Sequence, residues 1–139
     1  MTQWFLVNVH EHSIVSKFMK ESISLDGIVT YAPYTPGIRH GQHFWLSGQI
    51  AIDGALDIKS QTEGALAKID ALLQAGGLSK NDICFAQVLL DTIEDYGAMN
   101  EVYGKWVADM DMPPARAAFG AGALPKGALV EIVVQGIKS

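Results

Sequence analysis

The chain has 139 residues, a formal charge of −5, nearly half apolar residues and a slightly positive mean hydropathy. That length fits one domain with a core, and an acidic surface with no Lys/Arg run is a poor electrostatic partner for nucleic acid or anionic membrane. The greasy composition fits either a well-filled core or a buried subunit interface.

Residues 1–18 carry no basic leader, and the apolar run Trp4-Phe5-Leu6-Val7 is too short to span a membrane. Met19-Lys20 resembles a second start, so 1–18 is expected to be an extension on a single domain covering 19–139. The Pro/Gly-rich stretch 32–41 reads as a loop. His43 to Gln49 is short, aromatic and bounded by glycine, which predicts a strand, and Asp53-Gly54 follows as a turn.

Ser60-Gln61-Thr62-Glu63 has the form of a capping box. Ala65, Leu66, Ile69, Leu72 and Leu73 then recur at helical spacing up to Gly76-Gly77, predicting a helix over 60–75. The run 82–91 reads as a buried strand. It contains the single cysteine, Cys84, which rules out an intramolecular disulfide or a cysteine metal cluster, suits a reducing cytoplasmic compartment, and is expected to be buried and inert.

Thr92-Ile93-Glu94-Asp95 resembles another cap. Tyr96, Met99, Tyr103, Trp106 and Val107 mark the inner face of a second helix, with Glu101 and Lys105 paired on its outer face, and Met112-Pro113-Pro114 ends it. Strands near 116–120 and 129–137 complete an α+β layer architecture, with two helices against one mixed sheet.

Two residues stand out chemically. On the last strand Val130, Ile132 and Val134 share one face, while Glu131 lies on the other among apolar neighbours. An ionised carboxylate there is either a surface or salt-bridged group, or one placed to handle protons. Arg116 is the single charge in a run of mostly small residues from Pro113 to Ala123. Its planar fork suits a ligand carboxylate, or a structural acid such as Glu131 itself. Asn100 shares the buried face of the second helix and must find partners. Ser47-Gly48 ends a strand, where a hydroxyl and backbone N–H groups could meet a ligand. The pairs His10/His12 and His40/His43 lack a third ligand, so no metal site is expected.

Taken together, several segments resemble the RidA/YjgF/UK114 family. They are Ala32-Pro33-Tyr34-Thr35-Pro36-Gly37 running on to Gly41, Leu46-Ser47-Gly48-Gln49-Ile50, the stretch 61–77, Asn100-Glu101-Val102-Tyr103, Pro113-Pro114-Ala115-Arg116, and Leu124-Pro125-Lys126-Gly127-Ala128-Leu129-Val130-Glu131-Ile132. They occur in family order over about residues 27–137, and the last two carry most of the specificity. The resemblance implies a chorismate-mutase-like α+β fold with two helices on one face of the sheet. It also implies a homotrimer with active sites in clefts between subunits, and hydrolysis of enamines and imines such as 2-aminoacrylate to 2-keto acids and ammonia, with no metal or organic cofactor. Under it, Arg116 grips the substrate carboxylate and Glu131 activates water, while Tyr34, Ser47, Gly48 and Asn100 line the pocket. Ala118 stands where the family often has cysteine; its backbone N–H is expected to assist binding, and a thiol role is lost. A pathway-specific deaminase of the 2-aminomuconate type, a non-catalytic binder of small carboxylates, and a ribonuclease or translation inhibitor remain as alternatives. The acidic charge argues against the ribonuclease.

Overall fold

A computed structural model of the chain describes residues 19–30, 32–54 and 56–139; the expected 1–18 extension, with His10 and His12, lies outside them. The elements in chain order are β1 (Lys20–Ile23), β2 (Gly37–His40), β3 (His43–Leu46), α1 (Ile58–Ala75), β4 (Ile83–Leu90), α2 (Tyr96–Val107), β5 (Ala115–Gly120) and β6 (Val130–Ile137). The strands form one mixed sheet in the order β1-β2-β3-β6-β4-β5, with β4 and β5 parallel and every other neighbouring pair antiparallel. The parallel pair is bridged by α2, the crossover that parallel strands require.

The amphipathic patterns dictate one buried face. Ala65, Leu66, Ile69, Leu72 and Leu73 of α1, with Met99 and Tyr103 of α2, pack on Phe44, Ala86, Val88, Leu90, Val130, Ile132 and Val134 of the sheet. Each large aliphatic side chain so buried stabilises the fold by about 1.5–3 kcal/mol. Among the described residues the opposite face of the sheet carries no helix, and it holds Trp45, Phe119 and Ile137, each 44% exposed. The registers Trp45↔Gln135, His43↔Ile137 and Leu89↔Phe119 align these three with Glu131 and Gln135.

The α+β expectation holds, with β6 central as its apolar flanks suggested. Several local expectations do not. β1 was not anticipated, and β2 lies in the segment read as loop. Here Gly37 passes close to β3, where a Cβ would come 2.7 Å from Leu46 Cδ2. Helix α1 begins two residues early because Asp57, not Ser60, caps it by accepting from the Ser60 N–H at 3.0 Å. Thr92 caps a single 3₁₀ turn (Ile93–Asp95) that leads into α2. That helix ends at Val107, well before Pro113. Glu101 reaches across to Lys59 of α1 at 2.5 Å instead of pairing with Lys105. Cys84 is exposed rather than buried, because the ladder between β4 and β6 shifts register between Ile83 and Phe85 and turns the thiol outward.

Candidate functional site

Strict alternation along β6 buries Val130, Ile132 and Val134 and turns Glu131 to the uncovered face. The segment after β3 is bridged to that strand: the Gln49 N–H donates to the Ile132 carbonyl at 2.9 Å, and the Ile132 N–H returns a bond to Gln49 at 3.1 Å. This sets Gly48 directly against Glu131. A Cβ at position 48 would fall on the carboxylate, 2.8 Å from its Cδ, so a side chain there and the carboxylate in its present place exclude each other. Ser47 is fixed by donating its hydroxyl to the Thr35 carbonyl at 2.6 Å. Tyr34, Ser47, Gly48 and Glu131 line one cleft of about 780 Å³, whose apolar wall includes Leu25 and Ile50. Glu131 makes no hydrogen bond or ion pair among the described residues, so its oxygens are available to water or substrate.

Arg116 is elsewhere. Its register partner on β4 is Ala86, which faces Val134 of β6; Glu131 instead aligns with Leu89 and Phe119. Side chains alternate along a strand, so Arg116 emerges on the helix side of the sheet and Glu131 on the uncovered side. One chain does not bring the two together. The structural ion pair between them, open on sequence grounds, is therefore excluded.

Arg116 sits on β5, at the edge of the sheet, against α2. Its guanidinium carbon lies 4.7 Å from the Tyr103 ring centroid and 5.7 Å from that of Tyr96, within range of cation–π attraction. Nη2 donates to the Tyr96 hydroxyl at 3.2 Å, and Nη1 approaches the Met99 sulfur at 3.9 Å. The ion pairs among the described residues are Lys59–Glu101, Lys68–Asp53 and Lys80–Asp109; none involves Arg116. A half-buried cation stacked on aromatic rings, with no carboxylate partner among the described residues, has donors able to bind one from outside.

Asn100, one turn along α2 from Tyr96, is half-buried. Its side-chain amide, followed by the Arg116 guanidinium, draws the Tyr96 hydroxyl below the ordinary tyrosine pKa. Burial pushes the Tyr103 hydroxyl up, and that oxygen has no hydrogen-bond partner among the described residues. Ala118 shares the Arg116 face and packs on the core. The expected site residues thus fall into two groups: Tyr34, Ser47, Gly48 and Glu131 on one side of the sheet, and Asn100, Arg116 and Ala118 on the other. Sequence reasoning placed Tyr96 in the core, yet it is 42% exposed and bonded to Arg116. The available signal was its residue type, a phenol rather than a phenyl in the first helical turn. His40 and His43 face each other across the β2–β3 hairpin, both exposed. Among the described residues no three His, Cys, Asp or Glu side chains gather as a metal site would require.

Residues 24–137 match the family described as Endoribonuclease L-PSP. The chain belongs to that family, whose members also carry the names Rid, YjgF and RutC. It is 40% identical over 106 residues to a RutC family protein of Pyrococcus horikoshii, covering 72% of this chain and 82% of that protein. It is 34% identical over 106 residues to a 2-iminobutanoate/2-iminopropanoate deaminase of Capra hircus, covering 72% and 76%. Among solved structures, a Rid family protein, YyfA of Yersinia pestis, superposes with a TM-score of 0.80 at 31% identity, over 86% of this chain and 99% of that one. The Rid family therefore includes an imine deaminase. No helix among the described residues is long and apolar enough to cross a membrane.

Proposed function

We propose that this Rid family member hydrolyses short 2-imino acids, and the enamines that tautomerise to them, to 2-keto acids and ammonia. The observation that carries the reading is Arg116: a guanidinium stacked on Tyr103, with no acid of its own chain to neutralise it. The deaminase relative from Capra hircus supplies the chemical class.

In this reading Arg116 binds the substrate carboxylate through its planar fork and fixes the imine carbon. Glu131 accepts a hydrogen bond from a water and orients it toward that carbon. As the water oxygen bonds to the carbon, its proton passes to Glu131 and then to the nitrogen. Collapse of the carbinolamine expels ammonia and leaves the keto acid, so one water is consumed per imine. Positioning and proton transfer suffice because the C=N bond is already electrophilic. Tyr34, Ser47 and Gly48 shape the pocket around Glu131, while Asn100 and the Ala118 backbone N–H serve the Arg116 side.

Because Arg116 and Glu131 leave opposite faces of the sheet, a site containing both takes Arg116 from one chain and Glu131 from another. The uncovered face, with Trp45, Phe119 and Ile137 half exposed, supplies the apolar surface for such an assembly. We assign it to a homotrimer, a closed ring in which every interface pairs one Arg116 with one Glu131. The reading needs no metal or organic cofactor and fits a cytoplasmic protein with a single cysteine. A coupled assay, in which a PLP-dependent dehydratase generates aminoacrylate and keto-acid release is followed, tests it. The protein is expected to accelerate release, and a rate equal to the uncatalysed one would contradict the reading. The family's ribonuclease name finds no support in the charge of −5.

A further inference from the structure

Arg116 is half-buried with no acid beside it among the described residues, and such a cation is costly unless other groups replace the water it has lost. The groups that face it are neutral: the Tyr96 hydroxyl at 3.2 Å, the Met99 sulfur at 3.9 Å and two tyrosine rings. The rings are not equivalent. Tyr96 is 42% exposed and its centroid lies 5.7 Å from the guanidinium carbon, whereas Tyr103 is 6% exposed and its centroid lies at 4.7 Å. Cation–π attraction grows with desolvation, so Tyr103 is the stronger partner. It is also firmly seated, within the core cluster and against Trp106 at 5.7 Å between centroids. The Tyr103 hydroxyl, by contrast, is buried with no partner among the described residues, and an unsatisfied buried hydroxyl destabilises the fold. What this residue offers Arg116 is therefore its ring.

We propose that Tyr103 is a positioning residue for the deamination: its buried ring, not its hydroxyl, holds the Arg116 guanidinium in place and stands in for the acid that would otherwise neutralise it. The proposal rests on the reading of Arg116 as the carboxylate clamp and adds to it. A structural carboxylate would hold the guanidinium as firmly, but it would take the paired N–H bonds that the substrate carboxylate needs. A ring attracts the cation without accepting that pair. Tyr103 thus acts on the substrate only through Arg116. Two substitutions separate its parts. Tyr103→Phe keeps the ring and removes the orphan hydroxyl, while Tyr103→Leu keeps an apolar side chain and removes the ring.

The test uses 2-oxobutanoate, the keto acid that 2-iminobutanoate yields on hydrolysis, as a calorimetric ligand for the wild type, both Tyr103 variants and Arg116→Ala, with imine turnover followed alongside. Tyr103→Phe should bind and turn over like the wild type, with an unfolding midpoint no lower. Loss of a desolvated cation–π contact predicts that Tyr103→Leu weakens 2-oxobutanoate binding about 2–30-fold. KM should rise by the same factor while kcat stays near the wild-type value, and Tyr103→Met serves in its place should the leucine variant not fold. Arg116→Ala is expected to abolish binding, and adding Tyr103→Leu to it should change residual turnover no further. A purely structural role would lower the folded fraction, and with it the apparent kcat, at unchanged KM. That result overturns the Tyr103 assignment, as does a phenylalanine variant as weak as the leucine one. Wild-type binding by Tyr103→Leu also overturns it and leaves the clamp standing. Undiminished binding by Arg116→Ala contradicts the clamp itself, and no binding by the wild type contradicts the deaminase reading.

Discussion

The surroundings of Arg116 and Glu131 are built in opposite ways. Glu131 sits on the central strand, held in place by backbone: β6 is bonded on both sides, and Gly48 is pressed against the carboxylate so closely that no side chain fits. Arg116 sits on an edge strand and is held by side chains, with the rings of Tyr96 and Tyr103 and one hydroxyl bond aligning a flexible cation. The group assigned to water activation is placed by rigid main chain, and the group assigned to gripping the substrate by packing that can adjust. The contrast predicts different failures when each is disturbed.

The largest effect is expected at Arg116. Arg116→Ala should lower kcat/KM on the order of 10³-fold or more, because both charge and orientation are lost, while circular dichroism and the unfolding midpoint stay close to wild type. Next comes Glu131→Gln, which should keep carboxylate binding but lower kcat about 10²-fold, the scale of general base assistance. Loss of binding with unchanged kcat would reverse the assignment and favour a simple carboxylate binder. Gly48→Ala should act in the same direction as Glu131→Gln, since the new Cβ displaces the carboxylate, and a shift of about 1 Å is enough to cost up to about 10²-fold. A wild-type kcat in this variant would show that the placement of Glu131 does not matter. Ile132→Ala, one residue along but on the buried face, separates stability from chemistry. It should cost about 2–5 kcal/mol in denaturant unfolding with kcat per folded molecule preserved. The smallest effect belongs to Glu101→Ala, which removes an exposed ion pair to Lys59; the unfolding midpoint should not move measurably.

Much of this was legible in the sequence where periodicity is local. The helical spacing of Ala65 to Leu73 and the alternation of Val130, Ile132 and Val134 each identify an element and its buried face. Short elements that depend on distant partners were not legible. β1 and β2 have four residues each, and β2 follows Tyr34-Thr35-Pro36, whose turn chemistry masks a strand formed by pairing with β3. The exposure of Cys84 depends on a register shift in the ladder to β6, which no local pattern encodes. The same reason hid the most consequential fact about the site. Whether Arg116 and Glu131 share a face depends on the register of β5 on β4 and of β4 on β6, two non-local pairings. Residue types alone suggested the pair; the registers separate its members, so the proposed site needs a second chain to reunite them.

That requirement is tested by subunit mixing. Arg116→Ala and Glu131→Gln chains, each inactive alone, are co-expressed with different tags, and oligomers carrying both tags are purified. In a closed ring with shared sites, an interface between an intact Arg116 of one chain and an intact Glu131 of its neighbour is complete. A mixed trimer of either composition holds one such interface in three, so about a third of wild-type activity per site is restored. Mixed oligomers as inactive as either variant alone would contradict a site shared between chains.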